Sequence, residues 1–440
     1  MALPKSGTYN VVLEIPEVLH HAGKSFVVCP SVYSRLLPTG IVDPSSVLKP
    51  TADSYCSNVA WTGADSPNPT KRKLWAVMVG FSGSSHLAAP ALQFAHEDAI
   101  NFARFLQLEA SRELPGATGG SAPNPYFDDI AMRLLVSSPS LSNNQSIAQN
   151  AKIKELQKFG DAKFVVVYPQ AGDNYKDLVA QSINDVFKDI TVFQRTHADD
   201  GIDWQHAILV YFSGHGFSQK DEQDPQTPYM RTGLVTPSSK NDLENGSIWV
   251  DELLKQLLGS RYLSIVIVDA CRGPADQSAA LPFDSQLANL SAYPHLNIDA
   301  QRNQIHILYS SQVGHYSYEA SQYDVADFVP QLKLWPPAIG TKGGGLFSLG
   351  LLSSLMCEDA LQGDPNFTLQ NAKDFLRRYF FSQSNAKWRD IEAQLKTDLA
   401  NRKLVYTKPD PAYDPFGSPD RAVLREGTAK APKCFSAASQ

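Results

Sequence analysis

The sequence predicts an α/β fold, with a mainly parallel sheet of about six strands and helices on both faces. Short apolar runs recur along the chain, and segments with helical periodicity separate them. The runs are continuously apolar rather than alternating, which is the pattern of parallel strands buried on both faces. The chain has 440 residues, of which 43% are hydrophobic, so a large core is expected. Strands that alternate with helices form βαβ units and therefore favour a parallel sheet.

The strands are predicted at six apolar runs, several of them rich in β-branched residues. In chain order these runs are residues 74–79, 130–136, 164–167, 207–212, 263–268 and 305–309. Apolar residues at helical spacing predict the helices. These cover residues 95–106, 147–159, 178–190, 253–258, 369–379 and 388–399.

Three regions differ from this regular alternation. Residues 1–72 contain a stretch rich in Ser, Thr, Pro and Gly, and we interpret them as an N-terminal extension. Its role stays open between an interaction module, an inhibitory segment and a part of the main fold. Residues 112–160 are an insertion or an additional βα unit. Residues 401–440 are proline-rich and are expected to form a tail that lies on the surface or is mobile.

Composition argues against several classes of protein. The net charge is −6, so the basic footprint of a nucleic-acid-binding protein is missing. The first residues lack the basic and apolar regions of a signal peptide. No apolar run approaches the roughly 20 residues that a membrane span needs. A cytoplasmic protein that binds neither nucleic acid nor membrane is therefore expected.

The five cysteines are widely spaced and include no Cys-x-x-Cys pair. This spacing argues against a zinc ribbon and against a disulfide framework, and it fits a reducing compartment. No EF-hand pattern is present, so calcium dependence is not implied. The sequence predicts neither a metal nor a cofactor.

Two motifs that contain potentially catalytic side chains follow consecutive predicted strands. His215 lies in Ser-Gly-His-Gly directly after the strand at 207–212, and Cys271 lies in Asp-Ala-Cys-Arg-Gly directly after the strand at 263–268. In an open parallel sheet, ligands bind at the carboxyl ends of the strands. Consecutive strands are usually neighbours, so the two side chains are expected to lie close together.

A cysteine and a histidine at adjacent strand ends are suited to nucleophilic catalysis. The imidazole of His215 would take the thiol proton of Cys271 and later protonate a leaving amine. The backbone N–H groups of Gly216 and Cys271 would stabilise an oxyanion. Taken singly, a cysteine after an apolar strand is more often a small buried hydrophobe, and a histidine in a glycine-rich turn more often bonds the backbone. Their pairing favours the catalytic interpretation.

These two motifs resemble the His and Cys blocks of the caspase-like cysteine proteases. The Cys block matches the caspase signature except that Asp269 stands in place of Gln. Further likeness is found in the strand and helix over 73–106, in residues 305–319, and in Gly-Gly-Leu-Phe-Ser at 344–348. The resemblance covers about residues 73–385.

The resemblance implies a caspase-like three-layer sandwich and a division of the chain. Residues 73–272 would form the large-subunit-like region, which carries both blocks. Residues 273–304 would form an intersubunit-like linker, and residues 305–400 the small-subunit-like region. Caspases commonly dimerise, so a homodimer, or a regulatory protein partner bound through the N-terminal extension, stays open.

The aspartate in the Cys block bears on specificity. Caspases that cleave after Asp carry Gln at this position, whereas metacaspases and paracaspases carry Asp and cleave after Arg or Lys. The resemblance therefore implies that Asp269 lines an acidic S1 pocket, together with Asp98 and Glu319, which fall where paracaspases place their acids. The Arg after Cys271 is closer to paracaspases than to metacaspases. In the alternative interpretation neither acid binds substrate: Asp98 is a solvated helix residue, and Glu319 is an exposed loop acid.

The sequence thus predicts a cysteine endopeptidase that cleaves protein or peptide substrates after Arg or Lys. Two alternatives stay open. One is a catalytically silent caspase-like scaffold that acts through protein contacts, although both His215 and Cys271 are present. The other is a separase-type or CHAT-type cysteine protease, which has a similar fold and dyad.

Overall fold

The structure is a computed structural model, and it describes most of the chain between Thr70 and Glu426. The described residues are 25–28, 57–60, 70–83, 91–111, 126–141, 143–160, 163–220, 230–240, 242–258, 260, 262–273, 305–323, 325–328, 343–356, 366–402, 406–416 and 422–426. Several sequence predictions lie outside them. These are most of the N-terminal extension, the linker beyond residue 273, the last residues of the tail and the four cysteines other than Cys271.

The chain divides into two compact units. The first comprises Met1–Thr70 and Gly201–Asp203, and the second comprises Lys71–Asp200 and Trp204–Gln440. Within the first unit, two short strands, β1 (Ser25–Val28) and β2 (Ser57–Ala60), pair in antiparallel fashion.

The second unit contains the main sheet and all the described helices. The other described strands lie in this unit, except for the first residues of β3 and β6, Thr70 and Asp203. They are β3 (Thr70–Phe81), β4 (Asp129–Ser137), β5 (Phe164–Val166), β6 (Asp203–Ser213), β7 (Gly216–Lys220), β8 (Met230–Leu234), β9 (Ile248–Trp249), β10 (Leu263–Asp269), β11 (Ile305–Tyr309), β12 (Glu319–Ala320), β13 (Gly344–Gly345), β14 (Asn366–Thr368), β15 (Ala412–Phe416) and β16 (Val423–Glu426). The helices are α1 (Ala95–Ala110), α2 (Asn144–Gln149), α3 (Ala151–Gln157), α4 (Tyr175–Thr196), α5 (Leu243–Gly246), α6 (Val250–Leu258), α7 (Val325–Phe328), α8 (Leu346–Leu355), α9 (Leu369–Phe375) and α10 (Ala386–Asn401).

The main sheet has seven strands in the order β15-β11-β10-β6-β3-β4-β5. The pairings of β10 with β11 and β6, and of β4 with β3 and β5, are parallel. Only β15 is shown to run antiparallel to its neighbour, β11. Each of the six predicted strands lies in this sheet, so the prediction of a mainly parallel α/β sheet is confirmed. The smaller sheets pair β7-β8-β9, β12-β13 and β14-β16.

The sheet is covered by helices on both faces. Alternate side chains of each strand point to opposite sides, and both sets are apolar and need to be buried. On β3, Ala76 and Met78 pack into an apolar cluster with α1, α8, α9 and α10. Val77 and Val79 point the other way and pack into a second cluster with α4 and α6. Every residue of α8 is buried. The apolar run of this helix therefore serves the core.

The structure adds detail to three elements of the sequence prediction. The region over 112–160 contributes β4, which lies between β3 and β5 in the main sheet, so it holds a βα unit of the fold. The helix predicted over 147–159 is two helices, because Asn150 is extended and its side chain accepts hydrogen bonds from Lys152 N and Ile153 N at the start of α3. The proline-rich tail supplies β15 at the edge of the main sheet. Proline is tolerated at a sheet edge.

Within the described residues, no helix is both long enough and apolar enough to cross a membrane.

Candidate active site

The His and Cys motifs lie at the carboxyl ends of two adjacent strands. β6 and β10 are parallel neighbours, and Ser213 at the end of β6 pairs in register with Asp269 at the end of β10. His215 and Cys271 each follow this pair by two residues. The two motifs are also bonded to each other, because Gly214 N donates a hydrogen bond to the carbonyl of Asp269 at 3.1 Å. Both predicted residues therefore lie at the same edge of the sheet.

Gly216 lies directly against the backbone of the Cys motif. A Cβ atom at this position would approach the Cys271 carbonyl oxygen to 2.5 Å and the Ala270 Cβ to 2.8 Å, so only glycine fits without a shift. His215, between Gly214 and Gly216, is 3% exposed, and its carbonyl accepts a hydrogen bond from Val235 N at 2.9 Å. The glycines on either side thus hold the histidine segment against the cysteine segment.

The turn that carries Cys271 is fixed by its neighbours. Ala270 N donates to Ser310 Oγ at 3.1 Å, and Arg272 N donates to the His315 carbonyl at 3.0 Å. The Arg272 guanidinium lies over the Tyr309 ring at 3.9 Å. This buried arginine is therefore engaged in packing rather than in the acidic cavity described below.

The Cys271 thiol is bonded to the backbone of a single residue. Sγ donates to the Ser317 carbonyl at 3.4 Å, and Ser317 N donates to Sγ at 3.3 Å. Burial raises the pKa of the Cys271 thiol to about 12; the carboxylates of Asp269 and Glu319 act in the same direction, and the Ser317 N–H opposes them. Burial of the thiol therefore favours its protonated form.

A cavity of about 270 Å³, including its open mouth, lies next to the thiol. Its lining brings together the three predicted carboxylates, the predicted nucleophile and two serines. These residues are Asp98, Ser213, Asp269, Cys271, Ser317 and Glu319. His215 is not among the lining residues, although Gly214 is.

Asp98 lies in α1, and it is buried rather than solvated, with 2% exposure. Gly345 N donates to both of its oxygens, at 3.1 and 3.0 Å, and Ser213 Oγ donates to Oδ2 at 3.1 Å. The alternative of a solvated helix residue is therefore excluded for Asp98.

Asp269 is the most heavily hydrogen-bonded of the three acids. Ser348 N and Ser348 Oγ donate to Oδ2 at 3.2 and 2.5 Å, and Ser317 Oγ donates to Oδ1 at 2.8 Å. Ser348 Oγ also lies 2.5 Å from the hydroxyl of the buried Tyr211. These contacts fix the orientation of the carboxylate at the end of β10.

Gly345 separates Asp98 from Asp269. A Cβ atom at this position would approach Asp269 Oδ2 to 2.4 Å and Asp98 Oδ2 to 3.0 Å. The two carboxylates are therefore close to each other, and any larger residue at 345 would fill the space between them. This requirement explains the second glycine of the Gly-Gly-Leu-Phe-Ser motif.

Glu319 binds the start of α1. Its two oxygens accept hydrogen bonds from Gln93 N and Phe94 N, each at 2.8 Å. These N–H groups have no partner inside the helix, and a carboxylate beside a helix N-terminus is stabilised by the helix dipole. Glu319 is therefore both a wall of the cavity and a cap of the helix that carries Asp98. It is not the exposed loop acid of the alternative interpretation.

The three carboxyl groups all have raised pKa values. Burial is the largest cause for each, and it raises the pKa of Glu319 to about 7. The charge of Asp269 raises the pKa values of Asp98 and Glu319 further, whereas the hydrogen bonds to all three carboxylates oppose the shift. The three carboxyl groups therefore hold their protons more tightly than free carboxyl groups do, and a cation bound among them would favour their charged forms.

The raised pKa of Glu319 predicts a specific pH dependence of stability. The folded chain keeps this proton up to about pH 7, whereas a free glutamate releases it near 4.5. The folded state thus binds more protons in this window, so this group makes the free energy of unfolding fall as pH rises from about 5 to 8. We expect Glu319→Gln to show a smaller loss of melting temperature over that range than the wild type.

A matched control is Glu244→Gln, which alters an exposed glutamate in α5. This variant should follow the wild-type profile. Parallel melting curves for wild type and Glu319→Gln, with a constant offset at every pH, would show that Glu319 does not carry the extra proton.

Within the part of the chain that the structure describes, no group of three or more His, Cys, Asp or Glu side chains is arranged to hold a metal ion.

Sequence reasoning missed two residues that contact Asp269. Ser348 stands in a motif that the sequence singled out, but its contact with the carboxylate was not foreseen. No sequence motif or periodicity marked Ser317. The only indication that it lies near the cavity was its position two residues before Glu319.

Comparison with known proteins identifies the family. The model of the Peptidase_C14 family, described as the caspase domain, matches residues 89–388, which is more than half of the chain. No curated protein matches the sequence.

Two solved structures are similar at low identity. Protein GSU0716 from Geobacter sulfurreducens is 13% identical, with a TM-score of 0.35, and the match covers 82% of this chain and 100% of that one. Caspase-1 from Spodoptera frugiperda is 12% identical, with a TM-score of 0.32, and the match covers 84% and 96% respectively. On the match to the family model, which spans both the His and the Cys motif, the chain belongs to the caspase-domain family of peptidases.

Proposed function

We propose that this chain is a cysteine endopeptidase that hydrolyses peptide bonds after Arg or Lys, with Cys271 as nucleophile and His215 as general base and acid. The observation that carries the proposal is the cavity that joins Cys271 to Asp98, Asp269 and Glu319. It places negative charge beside the nucleophile, where the side chain preceding the scissile bond would lie.

The proposed reaction begins with proton transfer. His215 takes the thiol proton of Cys271, and the thiolate attacks the substrate carbonyl carbon. The N–H groups of Gly216 and Cys271 would stabilise the oxyanion. His215 then protonates the amine as the C–N bond breaks, which leaves a thioester on Cys271. A water molecule, deprotonated by His215, attacks the thioester and releases the acid product and the thiol.

The acidic cavity supports a basic P1 side chain and argues against an acidic one. An Asp side chain would bring a fourth acidic group to a cluster in which neighbouring charges already raise the pKa values of Asp98 and Glu319. An arginine would offset that repulsion, and its planar fork can bond a carboxylate in bidentate fashion. We therefore rank Arg above Lys at P1. The Arg that follows Cys271 favours the paracaspase type.

The test is cleavage of a peptide library that varies only the P1 residue, with and without calcium. We expect kcat/KM to be highest for Arg, lower for Lys and not measurable for Asp or Glu, with no requirement for calcium. Citrulline at P1 is the matched control, because it keeps the shape of arginine without the charge. A preference for Asp, or equal cleavage of Arg and citrulline peptides, would contradict the proposal.

A further inference from the structure

One residue, Ser317, contacts both the floor of the acidic cavity and the nucleophile. Its hydroxyl donates to Asp269 Oδ1 at 2.8 Å. Its backbone N–H donates to Cys271 Sγ at 3.3 Å, and its carbonyl accepts from Sγ at 3.4 Å. The state of the cavity and the state of the thiol are therefore linked through a single amino acid.

The chain on the N-terminal side of Ser317 is anchored independently of the cavity. The His315 carbonyl accepts from Arg272 N at 3.0 Å, and Tyr316 N donates to Thr407 Oγ1 at 3.0 Å. On the other side, the Tyr318 hydroxyl donates to the Thr407 carbonyl at 3.0 Å. Between these anchors, the bond to Asp269 is the contact by which the Ser317 side chain holds its place.

A cation in the cavity would compete for that contact. Oδ2 of Asp269 already accepts two hydrogen bonds from Ser348, whereas Oδ1 accepts one, from Ser317 Oγ. The Ser310 hydroxyl also bonds this carboxylate, so its roughly four acceptor sites are occupied and a guanidinium would have to displace a hydroxyl. A charged donor forms a stronger bond than a hydroxyl, and it would weaken or replace the bond from Ser317.

The contact between Ser317 and the thiol opposes catalysis. The thiol proton is directed at the Ser317 carbonyl, and a lone pair of sulfur accepts from the Ser317 N–H. In this arrangement the Ser317 backbone engages both the thiol proton and a lone pair of the sulfur. Attack on a carbonyl therefore requires the Ser317 backbone to move away from Sγ.

We propose that Ser317 is a specificity-determining residue: it holds the Cys271 thiol while the acidic cavity is empty, and it releases the thiol when a guanidinium binds Asp269. This inference rests on the proposed function, in which Cys271 is the nucleophile and the cavity receives a basic P1 side chain. It adds that recognition of the P1 charge also switches on the nucleophile.

The test measures alkylation of Cys271 by iodoacetamide in the full chain, with the modified residue identified by mass spectrometry. The probes are n-butylguanidinium, which carries the arginine head group without a scissile carbonyl, and n-butylurea, its neutral analogue. In the wild type we expect saturating n-butylguanidinium to accelerate alkylation about tenfold, because the nearby cation favours the thiolate and the thiol loses its bond to the Ser317 carbonyl. n-Butylurea should have no effect.

Variants separate release by Ser317 from the plain electrostatic effect of the cation. In Ser317→Ala we expect fast alkylation without any ligand and little further acceleration by n-butylguanidinium. Ser317→Thr keeps the hydroxyl and should restore the response. Thr397→Ala is the control, because it removes an exposed hydroxyl of α10 that bonds the Ala393 carbonyl, away from the carboxylate and the thiol, and it should keep the response. Ser317→Gly replaces Ser317→Ala if the alanine variant does not fold.

An undiminished response to n-butylguanidinium in Ser317→Ala would overturn the inference, because charge alone would then explain the acceleration. So would a wild-type thiol that ignores n-butylguanidinium while the same preparation cleaves Arg peptides; in that case the proposed function stands and only the role of Ser317 fails. A preparation that cleaves no peptide with a basic P1 residue would instead count against the proposed function.

Discussion

Replacing Cys271 by alanine is expected to abolish hydrolysis of peptides with Arg at P1, with a loss in kcat of about 10⁴-fold or more. Losses of this size follow when a nucleophile that forms the covalent intermediate is removed. Replacing His215 by alanine should cost less, about 10²–10⁴-fold, because this is the usual contribution of a general acid or base. Initial rates on an Arg peptide measure both effects.

The Cys271→Ala chain should still fold and still bind substrate. The thiol makes two long hydrogen bonds, both to Ser317, so their loss should lower the free energy of unfolding by only about 1 kcal/mol. An Arg peptide should therefore bind this variant about as tightly as it binds the wild type. Residual hydrolysis close to the wild-type rate would exclude Cys271 as nucleophile, and a wild-type thiol that no substrate-based probe labels would favour the silent scaffold.

Much of the fold could be predicted from the sequence because the central strands are buried on both faces. Such strands must be apolar along their whole length, which makes them visible as continuous runs. The edge strand β15 was not visible. It contains Asp414 and Pro415, follows Pro411 and is only five residues long. A proline there interrupts a sequence pattern, but at a sheet edge it leaves no internal hydrogen bond unmade.

The candidate site was predictable only where residues lie at strand ends or in motifs of the family. Asp98, Asp269 and Glu319 could be named in advance, and they line one cavity with Cys271. The hydroxyl groups that orient Asp269 could not be foreseen as such. Ser317 reaches this cluster from a loop and Tyr211 from near the end of β6, and no periodicity links them to the carboxylate.

Glu319 also shows why residue type alone does not define a role. The resemblance assigned it to substrate binding, but its two oxygens bond the N–H groups of Gln93 and Phe94, directly before α1. These N–H groups hold the Glu319 carboxylate in place whether or not a cation is present. We therefore expect Glu319 to set the position of Asp98 and the charge of the cavity, and Asp269 to make the closest contact with a basic side chain.

Replacing Asp269 by asparagine is accordingly expected to lower kcat/KM for an Arg peptide at least about a hundredfold. Truncating one partner of a buried, hydrogen-bonded charge pair costs about 2–5 kcal/mol, and about 3 kcal/mol corresponds to this factor. Asparagine has the shape of aspartate, so the cavity keeps its volume. Its amide can accept from Ser317 Oγ at one atom but presents N–H groups to Ser348 at the other, where two donors already point.

The decisive measurement is the ratio of kcat/KM for Arg to that for citrulline at P1, because this ratio reports the charge and cancels general damage to the site. We expect it to fall about a hundredfold in Asp269→Asn and to stay at the wild-type value in Asp390→Asn, which alters an exposed aspartate of α10. Equal losses for both peptides would mean that Asp269 only positions the turn that carries Cys271. An unchanged ratio in Asp269→Asn, with a large fall in the ratio in Asp98→Asn, would indicate that the basic side chain binds Asp98 instead of Asp269.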